Sequence, residues 1–371
     1  MSLRITALLE KNQHSKDELV ELLSLQSDDE TALILDKALQ MKESAVGRKV
    51  YLRGLIELSN ICSKNCYYCG IRAGNKNVER YTLSDEEVLS CADFAWKQGF
   101  GSLVIQTGEQ TGQGFADHIE RLLNNIHEQT NNELTITLSC GEQAEEVYRR
   151  WKHAGADRYL LRIETTNKEL YYKIHPNDKN HAWENRIESL ENLKKTGFQV
   201  GTGVMIGLPG QTLEDLADDL IFFRSLDIDM VGMGPYIEHA ETPLFAYAHE
   251  LWPAEERFMK GLLMIALLRL NMPLINIAAS TALETLDPLG RQKGILAGAN
   301  VVMPNLTPVT NRKNYQLYNN KPNLDKDASL STVTLNQVIS SIGETICFNQ
   351  PGDSKHFLKR VAKNQKNISP K

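Results

Sequence analysis

From Tyr51 onward the chain alternates short aliphatic and β-branched runs with longer segments of helical period, and it does so eight times. The strand candidates are residues 52–58, 103–106, 134–139, 159–162, 200–206, 230–233, 274–277 and 300–303. Helical periods fill 85–98, 143–153, 185–195, 213–224 and 255–270. Ser84 before Asp85-Glu86-Glu87 and Thr212 before Leu213-Glu214-Asp215 are N-cap signals, since a hydroxyl there accepts an unpaired N–H of the first turn. Gly99, Gly155 and Gly197 stand where helices would end. Strands separated by helices pair in parallel, and eight such units predict a complete (β/α)8 TIM-type barrel. An open doubly wound sheet would carry a glycine-rich fingerprint in its first strand-to-helix turn, and none is present.

Residues 1–45 read as a short N-terminal helical extension, with Ser15 as a further cap. Residues 46–270 then hold the core with the first six strands, 271–348 complete the barrel, and 349–371 form a basic C-terminal tail expected to be helical. The polar, Asn/Lys-rich stretch 311–332 predicts a loop over the barrel. A net charge of −6 gives no reason to expect nucleic acid or an anionic membrane as partner. No apolar run approaches the roughly 18 residues of a membrane span, and 258–270 is interrupted by Lys260 and Arg269. The N-terminus turns polar too early for a secretory signal, which makes the cytoplasm the expected location.

Three of the six cysteines fall in one short loop after the first strand: Cys62-Ser-Lys-Asn-Cys66-Tyr-Tyr-Cys69-Gly70. Cys91, Cys140 and Cys347 are isolated and read as ordinary thiols. A C-x3-C-x2-C spacing suits a shared metal centre better than disulfides. A cubane iron–sulfur cluster normally takes four thiolates, so three leave one iron open to a ligand. Structural zinc is the alternative; it would need a fourth Cys or His, and the nearest histidine in sequence is His118.

This spacing, with aromatic Tyr68 before the last cysteine, resembles the signature of the radical S-adenosylmethionine superfamily. The resemblance implies one 4Fe–4S cluster on Cys62, Cys66 and Cys69, whose open iron binds S-adenosylmethionine and cleaves it reductively to a 5′-deoxyadenosyl radical. Gln106-Thr107-Gly108-Glu109 ends the second strand where the family carries its GGE-type motif for the methionine amino group. Glu164, in Leu-Arg-Ile-Glu-Thr, resembles the residue that contacts ribose or methionine, and Arg186 resembles a carboxylate clamp. Gly203-Val-Met205-Ile-Gly207-Leu208 resembles the GxIxG motif beside the adenine.

Within the superfamily the chain is most similar to the HydE family, maturases of the di-iron hydrogenase active site related to biotin synthase and methylornithine synthase. IELSNICSKNCYYCGIRAGNKNVERY, DMVGMGPYIEHAETPL and ANVVMPNLTP carry that similarity. It implies a small-molecule or iron–cysteine synthon as substrate, with sister maturases and an electron donor as partners. It also implies a substrate pocket of Gln106, Thr107, Thr137, Arg158, Arg162, Met230, Ser280, Thr281, Tyr315 and Tyr318. An anionic complex would need such guanidinium and hydroxyl donors in a dry cavity. Arg158 and Arg162 lie four apart on a strand and share a face. The accessory cluster some relatives bind has no cysteines here, because 319–337 contains none.

Two other functions stay open on the residues alone. An amino-acid mutase resembling methylornithine synthase would need a further carboxylate in the barrel, with Asp229, Glu238 and Glu284 as candidates. A non-enzymatic iron–sulfur carrier would have no use for the Gly108-Glu109 and GxIxG segments.

Overall fold

Eight parallel strands build the barrel wall: β1 (Lys49–Ser59), β2 (Ser102–Thr107), β3 (Thr135–Ser139), β4 (Ala156–Leu160), β5 (Gln199–Thr202), β6 (Met230–Val231), β7 (Asn276–Ile277) and β8 (Val301–Val302). They run in the order β8-β1-β2-β3-β4-β5-β6-β7 in a computed structural model that describes residues 3–325 and 328–368. The strands bury both faces, which is why Leu103-Val104-Ile105 reads as an unbroken apolar run. Helices Asp85–Lys97, Gln113–Gln129, Glu145–His153, Trp183–Lys195, Leu213–Ser225 and Ala254–Asn271 cover the outside. Ser15, Ser84 and Thr212 each close a capping box with the acidic residue three positions on, a device that contributes ~1 kcal/mol per helix.

The expectation of a complete barrel needs correcting at one seam. β7 and β8 form no continuous ladder; they meet through the single bridge Ala278↔Val301, with Ala279 N–H donating to Val301 O and Asn300 N–H to Ile277 O, both at 2.9 Å. With two-residue strands on either side, the barrel stays open along most of that seam.

Two strands also differ from their expected spans. β4 occupies 156–160 and not 159–162, so Arg162 lies beyond its end. The expected strand 200–206 is cut at Gly203, which packs so tightly on Gly232 that a Cβ would lie 1.9 Å from that carbonyl oxygen. Met205–Ile206 then pairs separately with Gly234–Pro235. The expected loop 311–332 contains the end of helix Val309–Arg312 and runs into helix Ala328–Ser341, while residues 326 and 327 lie outside the described residues.

Three helices, Leu3–Leu9, Lys16–Ser24 and Asp28–Ala45, precede β1. After β8 the chain returns to the N-terminal end of the barrel, where Thr345–Cys347 pairs with β1. Residues 351–354 then cross the barrel floor. The Gly352 carbonyl accepts from Arg53 at 3.3 Å and Asn276 at 2.8 Å, and the Pro351 carbonyl accepts from Arg158 at 2.8 Å. Helix Lys355–Ile368 fastens this strap through Arg360, which pairs with Asp229 at 2.6 Å and Asp227 at 2.9 Å. Among the described residues no helix is long and apolar enough to cross a membrane.

Candidate active site

The loop that follows β1 carries Cys62, Cys66 and Cys69 to the C-terminal mouth of the barrel, where loop chemistry is built in this fold. All three thiols are free and line one cavity of about 250 Å³. Neighbouring loops hold the segment by its backbone. Ser63 N–H donates to Glu109 O at 2.7 Å, Tyr67 N–H to Ile174 O at 2.9 Å, Gly70 N–H to Leu317 O at 2.9 Å, and Asn65 N–H to His181 Nε2 at 2.8 Å. Glu109 N–H donates to Cys62 Sγ at 3.3 Å. Gly108 makes this approach feasible: a Cβ there would lie 2.3 Å from Ile61 O and 2.9 Å from Cys62 Cβ.

Beside the thiols lies a buried four-charge network that combines Lys64, Glu109, Glu142 and Arg186. Lys64 Nζ stands 3.0 Å from Glu109 and 2.9 Å from Glu142, while Arg186 reaches Glu142 at 2.5 Å and Glu109 at 3.9 Å. Burial raises the Glu109 carboxyl above its usual range, against the pull of Arg186 and Lys64. Burial acts on Glu142 in the same sense, but there Arg186 and Lys64 outweigh it and the carboxyl is held low. Arg186 also donates to the Arg162 carbonyl at 2.5 Å, and Arg162 pairs with Glu164 at 2.9 Å. Glu164 adopts a φ of +69°, an unusual backbone for a non-glycine residue, with Gly203 O accepting its N–H and its own carbonyl accepting from Met205 N–H.

Most of the residues singled out from the sequence converge on this cavity. Tyr68, Gln106, Thr107, Gly108, Glu109, Arg162, Glu164, Arg186, Met205, Ser280, Tyr315 and Tyr318 all line it. Thr281 sits behind the wall, its hydroxyl 2.7 Å from that of Tyr318. Thr137 and Met230 line a smaller void deeper in the barrel, with Arg53 and Asn276; Leu160 borders both spaces. Gly203, Gly207 and Leu208 shape the rim from behind and do not line the cavity. Gln211 Oε1 accepts from Gly207 N–H at 2.7 Å and Leu208 N–H at 3.2 Å, and Leu208 packs with Leu170, Ile174, Met205, Tyr236 and Leu244 beside Tyr68.

Arg158, like Thr137, Met230 and Thr281, does not line the expected pocket. It is fully buried at the barrel floor, ion-paired with Asp353 and bonded to Thr135 Oγ1 at 3.0 Å. It sits in the middle of β4, whereas Arg162 lies beyond the C-terminal end of that strand. Lys64 and Glu142 were overlooked: the first sits inside the cysteine triplet and the second directly follows Cys140-Gly141, positions that could have drawn attention to them.

Comparison with known proteins agrees with this geometry. A family model described as the Radical SAM superfamily matches residues 56–223. The [FeFe] hydrogenase maturase subunit HydE of Thermotoga maritima is 42% identical over 313 residues, 84% of this chain and 86% of that protein. The chain belongs to the radical SAM superfamily, on its HydE branch. A 3-methylornithine synthase of Methanosarcina acetivorans is 28% identical over 80% of each chain. The crystal structure of methylornithine synthase PylB shares the fold, with a TM-score of 0.77 at 23% identity, over 93% of this chain and 97% of that one.

Radical SAM proteins bind a 4Fe–4S cluster and S-adenosylmethionine, and the donor set here fits both. Burial pushes the Cys66 thiol up to about 12, with the neighbouring Cys62 adding to it, and it drives Cys69 the same way. Thiolates therefore form at this site only against a compensating cation such as iron. Among the described residues no three His, Cys, Asp or Glu side chains converge tightly enough to share one metal ion. All three cysteines line the one cavity, as ligands to separate corners of a single cluster would. When bound, the cluster and cofactor of radical SAM proteins supply reductive cleavage that yields a 5′-deoxyadenosyl radical. The chain's own side chains can do the rest: Glu109 can accept from an ammonium, Arg186 can donate to a carboxylate, and the Tyr68–Met205–Tyr236 wall can pack a flat ring, while Glu142 stands behind Lys64 and Arg186.

Proposed function

We propose that this chain is a HydE-type maturase enzyme that acts in assembly of the hydrogenase di-iron site. Cys62, Cys66 and Cys69 hold the cluster, while Glu109 and Glu164 take the ammonium and ribose of S-adenosylmethionine and Arg186 its carboxylate. The substrate is a small anionic iron–cysteine synthon supplied by a sister maturase. Arg162, Gln106, Thr107, Ser280, Tyr315 and Tyr318 receive it, and an external electron donor reduces the cluster in the cytoplasm. The observation that carries this reading is the 42% identity to HydE along 84% of the chain. The cavity at the barrel mouth supports it, because Arg162 lines it together with the three thiols and residues 351–354 cover the opposite end of the barrel.

The mutase alternative lacks its carboxylate. Asp229 pairs with Arg360 at the floor, Glu238 with Arg257 at 3.3 Å and Glu284 with Arg291 at 2.5 Å, and none of the three lines the cavity. The test is anaerobic maturation of apo-hydrogenase in a mixture that omits only this protein. Hydrogen evolution should appear when the wild-type protein is added back. Full maturation without it would reject the proposal.

A further inference from the structure

The loop that bears the thiols contains little regular secondary structure, so its carbonyls need partners from elsewhere. Arg80, eleven residues past the last cysteine, supplies four of them. One terminal nitrogen donates to Asn60 O at 2.6 Å and Ile71 O at 2.7 Å, and the other to Arg72 O at 2.7 Å and Asn75 O at 3.0 Å. Asn60 precedes Cys62 by two residues and Ile71 follows Cys69 by two, so a single planar guanidinium joins the two ends of the loop. Asn60 locks the same junction from the other side. Its Oδ1 accepts from Tyr81 N–H at 2.8 Å, and its Nδ2 donates to Glu79 O at 2.8 Å and Asn314 O at 2.7 Å. Among the described residues no carboxylate forms an ion pair with Arg80, so its charge is not cancelled locally.

We propose that Arg80 is a positioning residue for the iron–sulfur cluster, clasping both ends of the cysteine loop so that the three thiolates face one centre. A guanidinium suits this role because its donors are fixed in one plane and reach several carbonyls at once, whereas a lysine ammonium is a point donor. The clasp acts through the backbone and touches neither cluster nor cofactor. Its uncancelled charge has a separate consequence: a fixed cation beside a cluster favours the more negative, reduced state.

The proposal rests on the cysteine triplet as the cluster site and is independent of the substrate. The test compares wild type, Arg80→Gln, Arg80→Lys and the Cys62→Ala/Cys66→Ala/Cys69→Ala triple variant after anaerobic reconstitution of the full chain. Iron content, the midpoint potential of the reconstituted cluster and the melting temperature of the iron-free protein are read for each. Arg80→Gln should show a several-fold fall in iron per chain at an unchanged iron-free melting temperature, and its residual cluster should titrate at a more negative potential. Arg80→Lys should recover part of the iron and a potential close to wild type. Wild-type iron content with an unchanged potential in Arg80→Gln would overturn the proposal. So would a lowered iron-free melting temperature, since the guanidinium would then support the fold at large. Iron retained by the triple cysteine variant would instead reject the cluster assignment itself.

Discussion

The Glu109 backbone N–H meets the Cys62 sulfur at 3.3 Å, while the Glu109 carboxylate lies 3.0 Å from Lys64, a residue inside the cysteine loop. One residue just past the end of β2 therefore touches both the sulfur and the charge network. Displacement of either is felt by the other, which couples the cluster to the carboxylate proposed to hold the cofactor.

Glu109→Gln should accordingly weaken S-adenosylmethionine binding by roughly 1.5–3 kcal/mol, the range for a hydrogen bond to a charged group. Arg162→Ala should leave uncoupled cofactor cleavage largely intact and eliminate turnover of the substrate. Equilibrium binding and 5′-deoxyadenosine release separate the two variants. An equal loss of cofactor affinity in both would count against dividing the cavity into a cofactor side and a substrate side.

Alanine at Cys62, Cys66 or Cys69 should abolish the visible iron–sulfur absorption, and wild type should hold about four iron and four sulfide per chain. Cys91 and Cys140 are buried elsewhere, with their sulfurs turned to the Leu306 carbonyl at 3.2 Å and the Ile105 carbonyl at 3.9 Å. Alanine at either should leave the iron count unchanged. A wild-type count near eight, with half surviving removal of the triplet, would reveal a second cluster.

Asp353→Ala should cost ~3 kcal/mol of stability, the lower end for breaking a buried ion pair because Asp353 is itself partly exposed. Among the described residues Arg53 and Arg158 would then have no ion-pair partner in the barrel floor. Urea unfolding of the iron-free protein measures it. A change within a few tenths of a kcal/mol, as for an ordinary surface site, would show that the strap does not depend on this pair.

The buried Asp219 carboxyl is pushed up to about 7 by burial, even though Thr166 donates to it through both N–H (2.8 Å) and hydroxyl (2.6 Å). Below pH 3.8, the ordinary value, folded and unfolded chains both carry the proton. Between there and pH 7 the unfolded chain ionises first, so this group's contribution to stability falls as pH rises and is lost above about 7. Asp219→Asn should remove that slope and raise the urea midpoint at pH 8 relative to wild type. Identical slopes in the two proteins would mean that the carboxyl titrates normally.

The parts of this molecule that were legible in the sequence are those carried by a few adjacent residues. The cysteine triplet, Thr107-Gly108-Glu109 and the capping boxes announce themselves locally; the first two come together on one cavity and the boxes close as expected. Position along the barrel axis was not legible. A two-residue period over 158–162 puts Arg158 and Arg162 on one face, yet extended chain of that length covers about 13 Å, and β4 ends before Arg162, so one side chain reaches the floor and the other the mouth. Lys64 and Glu142 form no pattern in the sequence; their pairing arises because the loops after β1 and β3 meet over the mouth. The weak seam between β7 and β8 was hidden for a related reason, since strand propensity does not report how many residues find a partner.

The strap across the barrel floor bears on how the protein is made. A ribosome delivers the cysteine loop and every wall of the barrel before residues 351–354 emerge, so the interior has no floor throughout most of synthesis. Arg53 and Arg158 wait in contact with water until Gly352 and Asp353 arrive to neutralise and cover them. Covering of the floor is thus a late event in the life of the nascent chain, and a ribosome stalled before residue 351 would leave a tube open at both ends in place of one with a floor.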